Sequence, residues 1–163
     1  LFVFVGRLDD SSKKVKRAIV LAKALDIELW IIGDGPDKKM YEDYRKELNL
    51  HDKVKFIGKK TNPYPYMNLA DYIILTSDYE GFPVIYQESM ILNKKIITTI
   101  NTSDEQINMK DYAYIISKDE KEMVKDVKKI LNEKDNQKEI NMKKIIENRK
   151  LLLDQIINSE NCY

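Results

Sequence analysis

The chain has 163 residues, 43% of them apolar and 34% charged, so it can bury one core and lies well outside the composition of disordered segments. Its 28 lysines and arginines against 27 acids leave a net charge of +1, which removes any bulk electrostatic reason to bind nucleic acid or an anionic membrane and leaves only local anion sites. One cysteine, Cys162, and one histidine, His51, exclude a disulfide framework and a Cys/His zinc site.

Leu1 to Val5 is a continuous apolar run stopped by Gly6-Arg7, the pattern of a strand buried on both faces. It lacks the basic start and the length of a signal peptide, and no run approaches the ~18 apolar residues of a membrane span. A chain that opens on such a strand, with no initial methionine, reads as beginning inside a larger protein. Val15, Ala18, Ile19, Ala22 and Leu25 recur at helical spacing behind candidate caps at Ser11 and Ser12. Glu28 to Ile32 is the next strand. Gly33-Asp34-Gly35-Pro36 is turn chemistry with a proline suited to a first helical position, predicting a helix from about Pro36 to Leu48. The alternation continues with a strand over Val54 to Ile57, a short helix over Tyr64 to Ala70 and a strand over Tyr72 to Thr76. It ends with a helix over Pro83 to Leu92, strands over Lys95 to Thr99 and Tyr112 to Ile116, and charged helices from about Glu120 to Leu131 and Glu139 to Ile157.

Strands separated by helices of this length run parallel with right-handed crossovers, which predicts an α/β fold with a doubly wound, Rossmann-like parallel sheet. Ligands of such sheets bind at the carboxyl ends of the strands. The residues there are Gly6-Arg7, Gly33-Asp34-Gly35, Gly58-Lys59, Thr76-Ser77-Asp78 with Glu80-Gly81, and Thr98-Thr99.

Two clusters at these ends carry chemistry. Val84, Glu88, Ile91 and Leu92 fall on one stripe of the Pro83 helix, and a carboxylate on an apolar stripe needs a partner or a ligand. The partner is either a lysine or backbone amide within the protein, or a bound molecule. Arg7, Lys13 and Lys14 follow the first strand and open the first helix, where lysines oppose the helix dipole unless an anion sits among them. A guanidinium fork, an ammonium and helix amides would hold a diphosphate; with 28 basic residues in the chain, chance placement is the alternative. No GxGxxG fingerprint and no Walker A lysine motif occurs, so nicotinamide and P-loop chemistry drop out. Tyr64 and Tyr66 either stack on a base or cap the core, and His51 is a solvent-exposed histidine.

Taken together, Gly6-Arg7-Leu8, Lys13, Gly33-Asp34-Gly35-Pro36, Val54-x-Phe56-x-Gly58, Ala70-Asp71 and Glu80-Gly81-Phe82-Pro83 followed by Glu88 resemble one family. The chain is similar, over roughly residues 1 to 117, to the C-terminal, nucleotide-sugar-binding half of the retaining GT-B glycosyltransferases called family 4. Glu80 and Glu88, with seven residues between them, match its paired-glutamate motif. Asn62-Pro63-Tyr64-Pro65-Tyr66 and Tyr79-Glu80-Gly81-Phe82-Pro83 most resemble bacterial members that build capsular and other surface polysaccharides.

The resemblance implies a role for each matching residue. Arg7 and a following lysine, Lys13 or Lys14, would hold the donor diphosphate. Glu88 would accept from the ribose hydroxyls, and Glu80, the catalytic position, would contact the hydroxyls of the transferred sugar beside the amides of Gly81 and Phe82. Amides of Val84 and Ile85 would meet the phosphates. The implied reaction moves a hexose-type unit from a nucleoside diphosphate sugar, UDP favoured, to a glycan or lipid-linked acceptor with retention, without metal or other cofactor.

The implied organisation is a donor domain over residues 1–163, with C-terminal helices over about 120–157 and the acceptor-binding N-terminal domain of the same protein outside this chain. Without that domain the fragment would bind donor and catalyse nothing. The setting is cytoplasmic, with peripheral association at the inner face of the membrane through the whole protein. The alternatives are a non-catalytic regulatory α/β module and half of a sugar-nucleotide epimerase. The terminal helix, with Ile145, Ile146, Leu152, Leu153, Ile156 and Ile157 on an apolar face, either covers its own core, lies on the exposed flank of its own sheet or pairs with a second copy of the chain.

Overall fold

The computed structural model describes residues 1–79, 84–99 and 112–133. The elements alternate in chain order: β1 (Phe2–Val5), α1 (Val15–Leu25), β2 (Leu29–Ile32), α2 (Lys38–Glu47), β3 (Val54–Gly58) and α3 (Tyr64–Leu69). There follow β4 (Tyr72–Leu75), α4 (Val84–Ile91), β5 (Lys95–Thr98), β6 (Ala113–Ile115) and α5 (Glu120–Asn132). The strands form one sheet in the order β3-β2-β1-β4-β5-β6, and every pairing is parallel. The fold is the doubly wound α/β sheet that the alternation predicts.

Both faces of the sheet are covered, which is why its strands are apolar throughout rather than alternating. Phe2 and Phe4 point to one face, where they meet Ile19, Tyr41, Met123 and Val127 from α1, α2 and α5. Val3 points to the other, into a core with Ile73, Ile96, Met67 and Tyr86. The chain steps outward from β1 to β3 and returns to place β4 on the other flank of β1. The carboxyl ends of β1 and β4 are therefore the topological switch point, where loops diverge to opposite faces and leave a crevice.

Three local expectations are corrected. Ser11 and Ser12 do not cap α1. Ser11 instead donates its amide and hydroxyl to the Asp9 carboxylate, and the N-cap is Lys14, held in the left-handed region at φ 49 with no side-chain cap. The second helix starts at Lys38 rather than Pro36, with Asp37 as its N-cap residue, whose carboxylate accepts from the Asp10 amide across the loops and makes no cap bond to its own helix. On α4 the stripe of Val84, Glu88, Ile91 and Leu92 is not the buried face. Tyr86 and Ser89 are buried, whereas Val84 is 59% exposed. Tyr86 reaches the core because its hydroxyl has a buried partner, Thr98 Oγ1 at 2.8 Å.

Asp119 is a true cap. Its carboxylate accepts from the amides of Lys121 and Glu122 at 3.1 Å each, and α5 seats Met123 and Val127 in the core shared with α1. Asp119→Ala is expected to cost about 1 kcal/mol in urea denaturation, while Lys121→Ala, which leaves the cap intact, should change little.

Candidate functional site

The loop after β1 is fixed on two sides. Towards β2, the Leu8 amide donates to the Asp34 carbonyl at 3.0 Å and the Asp37 amide to the Leu8 carbonyl at 3.1 Å. Gly33 and Gly35 permit this approach: a Cβ at Gly33 would stand 1.8 Å from the Gly6 carbonyl oxygen, and one at Gly35 2.4 Å from that of Leu8. The Gly-Asp-Gly-Pro turn is structural, as its composition suggests.

Towards β4, the Thr76 hydroxyl donates to the carbonyls of Lys14 and Lys13 at 3.0 and 3.3 Å. The Asp78 amide donates to the Ser12 carbonyl at 2.8 Å. Arg17, in the first turn of α1, donates to the Thr76 carbonyl at 3.0 Å and to Asp78 Oδ1 at 2.7 Å. That guanidinium, with Lys118 and Lys14 further off, holds the Asp78 carboxyl below the usual carboxylate range. The strand end leading to Glu80 and the loop carrying Arg7, Lys13 and Lys14 are thus one hydrogen-bonded unit across the switch point.

Within that unit the basic residues differ. Lys14 Nζ lies 3.8 Å from Asp10 and 3.9 Å from Asp78, drawn inward between two acids. Arg7 is exposed, and its side chain makes no hydrogen bond or ion pair among the described residues, though, after the Ser11 hydrogen bonds, its charge helps hold the Asp9 carboxyl below the usual carboxylate range. It lines a cleft of about 680 Å³ over the carboxyl ends of β1, β2 and β3, together with Lys59 and Lys60 and a single acid, Asp34. Three cations against one carboxylate make this cleft locally positive in a chain whose charges otherwise cancel.

α4 is described from Val84 onward, and Val84 and Ile85 open that span; the opening amides of a helix have no internal acceptor. Glu88, one turn on, is partly buried and accepts from the Tyr64 hydroxyl at 2.9 Å. That carboxylate raises the phenol above its ordinary range. The partner that a carboxylate on this helix requires is neither a lysine nor a backbone amide but a phenol from α3. The two tyrosines of α3 divide: Tyr66 packs edge-on to Trp30 at 6.2 Å on the core, whereas Tyr64 stays 44% exposed. His51 is exposed, as expected.

Glu80, Gly81 and Phe82 lie outside the described residues, as do Pro83 and the terminal helix expected over 139–157. Two residues escape sequence reasoning, Arg17 and Lys60, and two that it names take roles that it misses: Asp78 as the partner of Arg17 and Tyr64 as the partner of Glu88. The signal for Lys60 is a second lysine directly after a strand end. For the Tyr64–Glu88 pair there is none, because the two residues lie 24 positions apart.

A family model described as glycosyl transferases group 1 matches residues 1–150. The chain is 35% identical over 104 residues to the N-acetylgalactosamine-N,N'-diacetylbacillosaminyl-diphospho-undecaprenol 4-alpha-N-acetylgalactosaminyltransferase of Campylobacter jejuni, across 61% of this chain and 27% of that protein. It is 30% identical over 96 residues to the lipopolysaccharide 1,6-galactosyltransferase of Escherichia coli K12, across 55% of this chain and 27% of the relative. The chain thus spans about a quarter of the length of these curated relatives.

Among solved structures it superposes on the apo form of the lipopolysaccharide outer core galactosyltransferase WaaB with a TM-score of 0.65 at 23% identity, covering 79% of this chain and 39% of that one. On HepE of Anabaena, solved with UDP and glucose, the TM-score is 0.68 at 18% identity, covering 81% and 39%. These likenesses show the fold, that of GT-B glycosyltransferases. With its parallel sheet, its cationic cleft at the carboxyl edge and a family match over most of its length, the chain belongs to the glycosyl transferases group 1 family.

Proposed function

We propose that the chain is the donor-binding half of a retaining, family 4 type glycosyltransferase of bacterial surface polysaccharide synthesis, of the capsular kind. It would move a hexose-type unit from a nucleoside diphosphate sugar, a UDP-sugar above others, to a hydroxyl of a glycan or lipid-linked acceptor. One observation carries the reading: the exposed Arg7 side chain, at the carboxyl end of β1 in a cationic cleft beside the switch point, makes no hydrogen bond or ion pair among the described residues. A guanidinium held there by a loop anchored on both sides, acting on Asp9 only through space, is free to take up the forked contacts of a bound diphosphate.

On this reading Arg7 binds the diphosphate together with Lys13 or Lys14, the two lysines just ahead of α1. The amides of Val84 and Ile85 add dipolar stabilisation, and Glu88 accepts from the ribose hydroxyls. Glu80, with the amides of Gly81 and Phe82, addresses the transferred sugar. As the bond from the anomeric carbon to the diphosphate breaks, its electron pair leaves with the diphosphate. The cations stabilise that charge in place of a metal. The acceptor oxygen bonds to the same face of the anomeric carbon, and its proton passes to the departing diphosphate oxygen.

The acceptor site belongs to an N-terminal domain of the same protein, with residues 1–163 forming the donor domain. Relatives named for lipopolysaccharide and for a diphospho-undecaprenol-linked substrate support a surface-glycan or lipid-linked acceptor. HepE, solved with UDP, supports the uridine nucleotide. No helix among the described residues is long and apolar enough to cross a membrane. The proposed setting is the cytoplasmic face of the membrane, reached peripherally through the whole protein.

Calorimetric titration of the chain with UDP tests the reading. UDP should bind equally well with and without a chelator, and Glu88→Gln should weaken it by about tenfold or more, since a charge-assisted contact is worth about 1.5–3 kcal/mol. A folded chain that binds neither UDP nor GDP at millimolar concentration would favour a non-catalytic module.

A further inference from the structure

The geometry points to Tyr64 as the positioning residue for Glu88, a phenol that orients the carboxylate for a vicinal diol. The inference rests on the reading of Glu88 as the ribose contact. The Tyr64 hydroxyl donates to Glu88 Oε1 at 2.9 Å, and among the described residues the Glu88 side chain has no other hydrogen bond and no ion pair.

Both ends of this bond are held from behind. On α3, Met67 is fully buried, Tyr66 packs against Trp30, and the Tyr64 amide is tied to Asn62 Oδ1 at 3.1 Å. On α4, Tyr86 and Ser89 are buried on the face that meets the core, so Glu88 falls on the flank between core and solvent. A glutamate side chain has three rotatable bonds and, unpaired, would sample several rotamers. One donated hydrogen bond fixes the plane of the carboxylate. It uses one of about four lone-pair positions and leaves the second oxygen whole for two hydroxyl donors. Tyr64 remains 44% exposed, so its ring closes no core that would require it there.

The experiment compares UDP with 2',3'-dideoxyuridine diphosphate, which lacks the diol, on the parent chain and on Tyr64→Phe and Glu88→Gln. Tyr64→Phe keeps the ring and is expected to melt with the parent chain. It should weaken UDP by about three- to tenfold and leave the dideoxy analogue unchanged. Added to Glu88→Gln, it should cost less than it does alone, because the carboxylate that the phenol orients is no longer there. Equal losses for both ligands, or no loss for UDP, overturn the role of Tyr64 while Glu88 keeps its own. A Glu88→Gln chain that binds UDP as tightly as the parent overturns the reading beneath, and this inference with it.

Discussion

Gly33→Ala is expected to cost about 3 kcal/mol or more of folding stability, the largest effect of a methyl group added at any of the described glycines. Two causes act together. Gly33 sits at φ 149, a backbone conformation that side-chain-bearing residues rarely adopt, and a Cβ there would meet the Gly6 carbonyl oxygen at 1.8 Å. Strain of this kind costs about 1–3 kcal/mol, and overpacking against backbone, which cannot rotate away, adds a similar amount. Gly58 is the internal control. Its φ is 79, but nothing lies within 4 Å of an added Cβ. Gly58→Ala should therefore show only the conformational cost, about 1–2 kcal/mol. Chemical denaturation of the two variants reads the difference; equal losses would mean that the contact between the β1 and β2 loops is not tight. The prediction bears on function because those loops floor the cleft that Arg7 lines.

Arg7→Ala should weaken UDP by at least about tenfold and uridine hardly at all. A guanidinium bound to a diphosphate makes charge-assisted, often bidentate bonds about twice as strong as neutral ones, and a nucleoside offers it nothing of the kind. Because Arg7 is exposed and its side chain makes no hydrogen bond or ion pair among the described residues, its truncation should leave the melting temperature unchanged. The loss in affinity then reports the ligand and not the fold. Raising the salt concentration should shrink the difference between the parent chain and the variant, since screening acts on the same pair. Equal losses for UDP and uridine would place the diphosphate elsewhere.

The fold was legible because its cause is local and repeated. Strands such as Phe2–Val5 and Tyr72–Leu75 are apolar on both faces, turns carry glycine, and the helices between them show helical spacing, so the parallel sheet follows from alternation alone. Element ends were less legible wherever a side chain had a distant alternative. Ser11 turns to Asp9 rather than to α1, and Asp37 serves Asp10 rather than its own helix.

The site was half legible. Arg7 announces itself by following a buried strand, and the sequence points to Glu88 as a carboxylate in need of a partner. What periodicity could not reveal is which face of α4 goes inward. A hydroxyl pair, Tyr86 with Thr98, makes a tyrosine the buried residue and moves Glu88 to the flank. The ties made by Arg17 to Asp78 and by Tyr64 to Glu88 join residues 61 and 24 positions apart, distances over which only the folded chain brings them together.

The central claim is that a nucleoside diphosphate seats across the switch point, between the loop after β1 and the start of α4. Mapping amide chemical shifts of the isotope-labelled chain during a UDP titration tests it most directly. The account predicts movement at Gly6, Arg7 and Leu8 and at Val84, Ile85 and Glu88. Leu29, Val54 and Lys95, at the opposite edge of the sheet, should stay still. Shifts gathered at that opposite edge, or none at millimolar UDP in a chain whose spectrum is well dispersed, would contradict it.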